Sequence, residues 1–316
     1  MEPLRLGLLS TARINRLVLE GARASEQVAI VAVASRDLER AEEYAREQGI
    51  PRAHGSYEAL LADPDVEAVY ISLPNSLHVE WSIRALEAGK HVLCEKPLDR
   101  RPEEVERAFD AAERAGRILM EAFMWRHNPQ SRKLVELLPR IGALQAIRAT
   151  FAFALPDETN VRMLADLDGG SLMDVGCYCV SGIRLLAGDP ERVYGEQVTG
   201  ATGVDVRFTG ALRLAGDVTA EFTSAFTMTH QGLEAIGTDG SIFVPDPWHC
   251  RRGEIQVDDE TLRIEPENSY RLELENLGAA IRGEAEPLLG REDALGQART
   301  IAALYRSAET GAAVEI

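Results

Sequence analysis

From Leu4 to Ala122, apolar runs of strand length alternate with helical patterns without a break, and this alternation constrains the fold more than any other feature of the chain. The runs at Leu4–Leu9, Val28–Ala34, Ala68–Leu73, His91–Cys94 and Ile118–Ala122 are short and rich in Val, Ile, Leu and Ala, with both faces apolar. A strand of this kind is covered by helices on both sides, as in a parallel sheet. Helical patterns fall between them at Ile14–Ala24, Leu38–Gln48, Tyr57–Leu61, Ser76–Ala88 and Glu103–Ala115. The punctuation agrees: Gly49-Ile50-Pro51, Gly89 and Gly116 follow helices, and Pro102 stands where one begins. Residues 1–122 are expected to form an α/β Rossmann domain, a doubly wound parallel sheet with right-handed crossovers.

Beyond Met124 the pattern changes. A helical stretch at Gln130–Leu138 leads to a strand at Gln145–Ala154, a loop rich in Asp and Gly at Pro156–Gly170, and a helix at Ser171–Ala187. Strand-like runs then follow without helices between them, at Val193–Thr199, Val204–Leu214, Val218–Met228, Gly232–Gly237 and Ile242–Pro245. Helical segments at Tyr270–Arg282 and Asp293–Thr310 close the chain. Consecutive alternating strands predict an α+β domain over 123–316 with a large, mainly antiparallel open sheet. A length of 316 residues suits two domains, and no repeat or low-complexity linker separates them.

The net charge of −17 argues against non-specific binding to nucleic acid or to an anionic membrane surface. An anionic cofactor must then be met by locally placed Arg, Lys and backbone N–H groups. The cysteines are Cys94, Cys177, Cys179 and Cys250; without a second Cys pair or a His cluster at metal spacing they read as buried thiols of a reducing compartment, with no metal expected. Met1-Glu2-Pro3 lacks the basic start of a secretory signal, and no run approaches the roughly 20 apolar residues of a membrane span. The expected location is the cytoplasm.

The first strand runs directly into "STARIN" (Ser10–Asn15), where a dinucleotide fold carries Gly-x-Gly-x-x-Gly. The three glycine positions here are Ser10, Ala12 and Asn15. Glycine serves a tight turn at the first, close approach of a pyrophosphate at the second and helix packing at the third. Ser10 and Ala12 are small enough for close approach, and the helix start still offers N–H groups to an anion. The loop alone reads equally as an altered nucleotide site or as an ordinary strand–helix turn. At the end of the second strand, "ASRD" places Ser35 and Arg36 where NAD sites carry an acid for the ribose 2′-hydroxyl. A hydroxyl and a guanidinium suit a 2′-phosphate, which favours NADP with NAD as the alternative. The competing reading makes Ser35 a helix cap and leaves Arg36 solvated.

The runs "SLPNSLH" (Ser72–His78), "ALEAGKHV" (Ala85–Val92), "CEKP" (Cys94–Pro97), "EAFMWRHNP" (Glu121–Pro129) and "GGSLMDVGCYCV" (Gly169–Val180), in this order along nearly the whole chain, resemble the Gfo/Idh/MocA oxidoreductase family. The likeness is greatest to its NADP-dependent branch acting on aldoses and dihydrodiols. The resemblance implies that the first loop is a nucleotide site, with Ser10, Thr11, Ala12, Arg13 and Ile14 at the phosphates and Ser35 and Arg36 at the 2′-phosphate. It places Leu73, Pro74, Asn75 and His78 along the nicotinamide half, Glu95 and Lys96 at its ribose, and Trp125 and Arg126 on the pyrophosphate side. It also implies a cis bond before Pro97.

Hydride transfer from a carbinol needs a base for the hydroxyl proton and a group that stabilises the developing oxyanion. Lys96, at the carboxyl edge of the sheet, supplies a donor whose charge lowers a neighbouring phenol's pKa, and Glu95 can orient its ammonium. Asp174 and Tyr178 lie four apart, on one face of a helix. Where many family members carry His, this chain has Tyr178, as in the aldose and dihydrodiol branch. Tyr178 is then the general acid–base and Asp174 a ligand of a substrate hydroxyl or an orienter of Lys96; without its flanking residues, Tyr178 would read as a core aromatic. Asn160 and Arg162, in "DETNVRM", are offered to a polyol. The chain departs from the family at "ADLDGGS", where Asp168 either alters sugar choice or caps the helix from Ser171, and "MLADL" is apolar for a sugar pocket. The expected substrate is a D-xylose-like aldose or a related cyclic polyol. The alternatives are a trans-dihydrodiol, an enzyme that keeps its cofactor and shuttles hydride between two sugars, or a non-catalytic NADP-binding sensor. The resemblance also implies a homodimer or homotetramer built on the exposed face of the second domain's sheet.

Overall fold

The computed structural model describes residues 2–316. The chain divides into two compact units, one formed by residues up to Asp99, Glu103–Met124 and Asn268–Ala294, the other by Arg100–Pro102, Trp125–Glu267 and Leu295–Ile316.

The first unit begins with strict alternation: β1 (Leu4–Leu9), α1 (Asn15–Arg23), β2 (Val28–Ala34), α2 (Leu38–Gln48), β3 (Arg52–His54), α3 (Tyr57–Leu61), β4 (Ala68–Ile71), α4 (His78–Glu87), β5 (His91–Glu95), α5 (Pro102–Ala115) and β6 (Leu119–Ala122). All strand pairs are parallel, in the order β3-β2-β1-β4-β5-β6. The strand order therefore reverses at β1, and the crevice between the carboxyl ends of β1 and β4 is the topological switch point. β1 is central, and Leu4, Leu6, Leu8 and Leu9 are completely buried, which is why Arg5 is its one polar side chain.

The second unit contains α6 (Pro129–Leu137), β7 (Leu144–Ala152), α7 (Cys177–Ala187), β8 (Arg192–Thr199), β9 (Asp205–Arg213), β10 (Thr219–Ala225), β11 (His230–Gly237), β12 (Ser241–Val244), β13 (Glu254–Val257) and β14 (Glu260–Arg263). After α8 (Ser269–Ile281) and α9 (Arg291–Thr310), β15 (Val314–Glu315) completes a sheet of nine strands, β14-β13-β12-β11-β7-β10-β9-β8-β15. Only β7 and β10 pair in parallel; every other pairing is antiparallel. One face of the sheet is covered by α7. Residues such as Arg148, Glu221 and Thr209 alternate onto the opposite, exposed face.

The α/β and α+β architecture agrees with the sequence pattern, with four short additions. β3 and β15 are too short to show a period, and β13 and β14 form a polar hairpin at the sheet edge, where only one strand face needs apolar residues. Sequence order places everything after residue 122 together, whereas α8 packs with the first unit. Its partner is α1, and the helices approach so closely that a Cβ on Gly21 would lie 2.8 Å from the Arg271 backbone nitrogen. Among the described residues no helix is long and apolar enough to cross a membrane.

Gly21→Ala should destabilise the fold by about 1–3 kcal/mol, because the clash is with backbone that cannot rotate away. A fall in the urea midpoint at unchanged slope is the expected readout, and an unshifted midpoint would show that α1 and α8 can separate freely.

Candidate active site

In the first unit, Ser10 follows β1, Ser35 and Arg36 follow β2, Ser72 to Asn75 follow β4, and Glu95 ends β5 with Lys96 directly after it. Because these strands are parallel, all of these residues share the carboxyl edge where open α/β sheets bind ligands. Ser10 has φ of 119°, a conformation that favours glycine, so the first position of the loop keeps the glycine backbone with a serine in it. Hydrogen bonds hold it there. Its Oγ lies 2.8 Å from Ser72 Oγ and accepts from the Ala12 N–H at 3.2 Å. Asn15, at the third glycine position, is fully buried; its Nδ2 donates to the Ser10 carbonyl at 2.8 Å and its Oδ1 accepts from Ser72 Oγ at 2.7 Å. Ser10, Asn15 and Ser72 thus tie together the loop and the two strands that flank the switch point.

The start of α1 carries no acidic residue in its first turn and no side-chain cap, which leaves its dipole available to a phosphate. The cap of α2 is Asp37, which accepts from the Arg40 N–H at 3.1 Å. Ser35 is therefore not the helix cap; its hydroxyl accepts the Asp37 N–H at 3.4 Å and stays at the strand end. Arg40 Nε donates to Thr11 Oγ1 at 2.8 Å, bridging α2 and the phosphate loop. Arg36 and Arg40 both act on the Tyr57 phenol, opposing the burial that raises its pKa. Two guanidinium groups thus stand at the end of β2. These groups fit a phosphorylated dinucleotide.

His78 is almost fully buried, with Nδ1 2.9 Å from the Pro97 carbonyl and Nε2 2.8 Å from the Leu73 carbonyl. Both ring nitrogens are engaged by the protein, so His78 braces the segment beside Lys96 and is not a free ligand contact. Burial lowers its pKa against the pull of the two carbonyls. The Leu98 N–H donates to buried Glu121 at 2.7 Å, so Pro97 and Leu98, next to Lys96, are held by side chains from two other elements. The Lys96–Pro97 bond is cis.

In the second unit, five residues from Leu172 to Gly176 form a π-turn that leads into α7. The turn begins at a remote cap, since the Ser171 hydroxyl and the Leu172 N–H both donate to Asp205 Oδ2 in β9, at 2.8 and 2.7 Å. The Tyr305 hydroxyl donates to the other carboxylate oxygen at 2.9 Å. Burial raises the Asp205 pKa, and these hydrogen bonds oppose the rise. Asp168 does not cap this helix. It adopts a left-handed conformation and pairs with Arg100 at 3.2 Å and Arg101 at 3.4 Å.

Asp174 lies within the π-turn and Tyr178 two residues beyond its end, in the first turn of α7. Asp174 accepts from Arg162 Nε at 2.8 Å, and Asn160 Oδ1 accepts from the Arg162 N–H at 3.1 Å, so Asn160, Arg162 and Asp174 form one polar chain. The Tyr178 ring is buried edge-on against Phe151, with centroids 5.2 Å apart, and lies 6.1 Å from Trp248. Trp125 is a core residue here, stacked edge-on against Trp248. Its buried indole N–H has no protein partner. Arg126 Nη1 donates to Ser181 Oγ at 3.3 Å.

Sequence reasoning missed Arg40, although its spacing of four from Arg36 across the Asp37 cap was a usable signal. Ser72 stood inside a quoted motif without a role. Glu121 likewise stood in such a motif without a role, and Asp205 gave no local signal, because its partners are distant in sequence.

A family model described as an oxidoreductase family with an NAD-binding Rossmann fold, Gfo/Idh/MocA, matches residues 5–123, and the Gfo/Idh/MocA C-terminal domain model matches residues 132–243. The chain belongs to the Gfo/Idh/MocA oxidoreductase family. Among its relatives, a D-xylose 1-dehydrogenase (NADP(+)) from Haloferax volcanii is 44% identical over 98% of this chain and 99% of the relative. A trans-1,2-dihydrobenzene-1,2-diol dehydrogenase from Danio rerio is 34% identical over 78% of this chain and 76% of its own. Among solved structures, an aldose-aldose oxidoreductase from Caulobacter crescentus in complex with glycerol has a TM-score of 0.91 at 28% identity, covering 99% of this chain and all of that one.

Asn15→Ala should leave the fold intact but release Ser10 from its glycine-like conformation. Losing two buried hydrogen bonds predicts NADP binding weaker by about tenfold or more, measured by fluorescence titration; unchanged affinity would show that the loop keeps its shape without the amide.

Proposed function

We propose that this Gfo/Idh/MocA oxidoreductase is an NADP-dependent dehydrogenase that oxidises a carbinol of a D-xylose-like aldose or a related cyclic polyol. The observation that carries this reading is the similarity, along almost the whole of both chains, to an NADP-dependent xylose dehydrogenase. NADP, when bound, supplies the hydride acceptor. The residues proposed to hold it are Ser10 to Ile14 at the phosphates, Ser35, Arg36 and Arg40 at the 2′-phosphate, and Leu73 to Asn75 with Glu95 along the nicotinamide side. Trp125 and Arg126 are proposed at the pyrophosphate side, through the unused indole N–H of the former.

In this reading Tyr178 takes the hydroxyl proton of the substrate. The Lys96 ammonium donates to the same oxygen and stabilises the phenolate by its charge. The polar chain of Asn160, Arg162 and Asp174 supplies hydrogen bonds to the remaining hydroxyl groups, which a polyol needs and an apolar substrate does not. Retention of both a lysine and a phenol argues against a cofactor-binding sensor, which has no use for a proton relay. A second reading, a cyclic dihydrodiol as substrate, is favoured by the aromatic surroundings of Tyr178, where Phe151 also meets the His249 ring edge-on at 5.5 Å. The exposed face of the nine-stranded sheet is proposed to pair subunits into a dimer or tetramer.

Incubation with NADP and a panel of aldoses, inositols and dihydrodiols, followed by the absorbance of reduced nicotinamide, tests the substrate. Turnover of an aldose supports the first reading and turnover of dihydrodiols alone the second; tight NADP binding with no turnover would leave the sensor. Lys96→Ala and Tyr178→Phe should each lower kcat by roughly 10²- to 10⁴-fold while leaving NADP affinity nearly intact. Unchanged turnover in either would remove that residue from the mechanism. Arg36→Ala and Arg40→Ala should each weaken NADP by about 10- to 100-fold with little effect on NAD, and equal losses for the two nucleotides would overturn the 2′-phosphate assignment.

A further inference from the structure

The loop between β7 and the π-turn carries Asn160, Arg162 and Asp168, and only the first two have been given a role. The Asp168 side chain is 12% exposed, and its carboxylate oxygens are divided between two cations: Arg100 Nη2 lies 3.2 Å from Oδ1 and Arg101 Nη2 3.4 Å from Oδ2. Both arginines are nearly half exposed, so the carboxylate is the shielded centre of the group. Arg100 also lies over the Tyr305 ring, 5.4 Å from its centroid. The Tyr305 hydroxyl donates to Asp205, and Asp205 holds Ser171 and Leu172. Asp168, Arg100, Tyr305, Asp205 and Ser171 therefore close a ring of contacts within the second unit, with the chain from Asp168 to Ser171 as its last link.

That link bonds back to the segment that carries Arg162. The Gly170 N–H donates to the Arg162 carbonyl at 2.8 Å and the Gly169 N–H to the Leu164 carbonyl at 3.0 Å. A Cβ on Gly169 would lie 2.4 Å from the Arg162 carbonyl oxygen, and one on Gly170 2.2 Å from Asp205 Oδ1, so the backbone has no room to slide. Asp168 itself is held in the left-handed conformation, with φ of 53°, which a residue with a Cβ keeps only when its surroundings fix it. Arg162 Nε in turn donates to Asp174 Oδ2 at 2.8 Å. We propose that Asp168 is a positioning residue for Arg162: paired with Arg100 and Arg101, it fixes the turn at 164–170 and with it the place from which Arg162 is offered to a substrate hydroxyl. Its effect falls on substrate affinity and not on hydride transfer. This effect rests on the proposed function, in which Arg162 meets the polyol; the bracing of the turn does not.

Asp168→Asn removes the charge but keeps a side chain that tolerates the left-handed conformation, so it separates the ion pairs from the backbone. With D-xylose, or with the panel compound of highest turnover, KM should rise about three- to tenfold while kcat and NADP affinity stay within about twofold. A substitution that acts through Arg162 adds nothing once Arg162 is gone, so in an Arg162→Ala background Asp168→Asn should leave KM where it was. An unchanged KM in the single variant, or equal increases in the two backgrounds, would overturn the proposal. Hydrogen exchange supplies a readout independent of activity. Peptides covering 163–170 should exchange about threefold faster or more in Asp168→Asn, with peptides from β10 unmoved, and unchanged exchange would overturn the bracing. Should Asp168→Asn fail to fold, Arg101→Gln, which removes one pair and leaves Arg100 over Tyr305, must show the same pattern at smaller size; a silent Arg101→Gln would then overturn the proposal. Unchanged KM in Arg162→Ala, or no turnover of any panel compound, would instead sink the proposed function and leave the exchange rates to judge Asp168.

Discussion

The buried amide of Asn15 is the contact on which the cofactor edge of the first unit depends. It bonds at once to the carbonyl of Ser10, a residue in a backbone conformation suited to glycine, and to the hydroxyl of Ser72 on the neighbouring strand end. A glycine loop reaches this shape by having no Cβ; this chain reaches it by spending hydrogen bonds on a strained serine. The substitution trades conformational freedom for a fixed geometry, and it ties this loop to β4, after which the residues proposed for the nicotinamide side begin.

The same device recurs beside the residues proposed to carry the chemistry. The peptide next to Lys96 is braced by His78 and Glu121, and the helix that presents Tyr178 starts from the carboxylate of Asp205. Each brace is a buried polar group bonded to backbone from a different element. Such groups add little net stability when paired, but leaving their partners unpaired is costly, so they select one arrangement over near alternatives.

The alternation of strands and helices made the first unit readable, since each parallel strand must be apolar on both faces, and the alternating strands from Val193 onward revealed the second sheet. Motif residues such as Lys96, Asp174 and Tyr178 were visible because they cluster with glycine and proline in short runs. What stayed hidden was long-range. Asp205 caps a helix that begins more than thirty residues earlier, α8 returns to α1 across most of the chain, and Glu273 sits in a helical pattern where an acid looks like a solvated surface residue. Asn15 was legible as a missing glycine but not as an active replacement, because nothing local says that its amide turns inward.

The π-turn at Leu172–Gly176 contains one residue more than an α-helical path would. Since each α-helical residue advances the chain by about 100°, this extra residue works as a phase offset between the segment that carries Asp174 and the helix that carries Tyr178. Removing or shifting it would swing one of these side chains around the axis relative to the other without altering either. Under the roles proposed for Asp174 and Tyr178, the winding of this segment sets which substrate hydroxyl the carboxylate meets relative to the phenol.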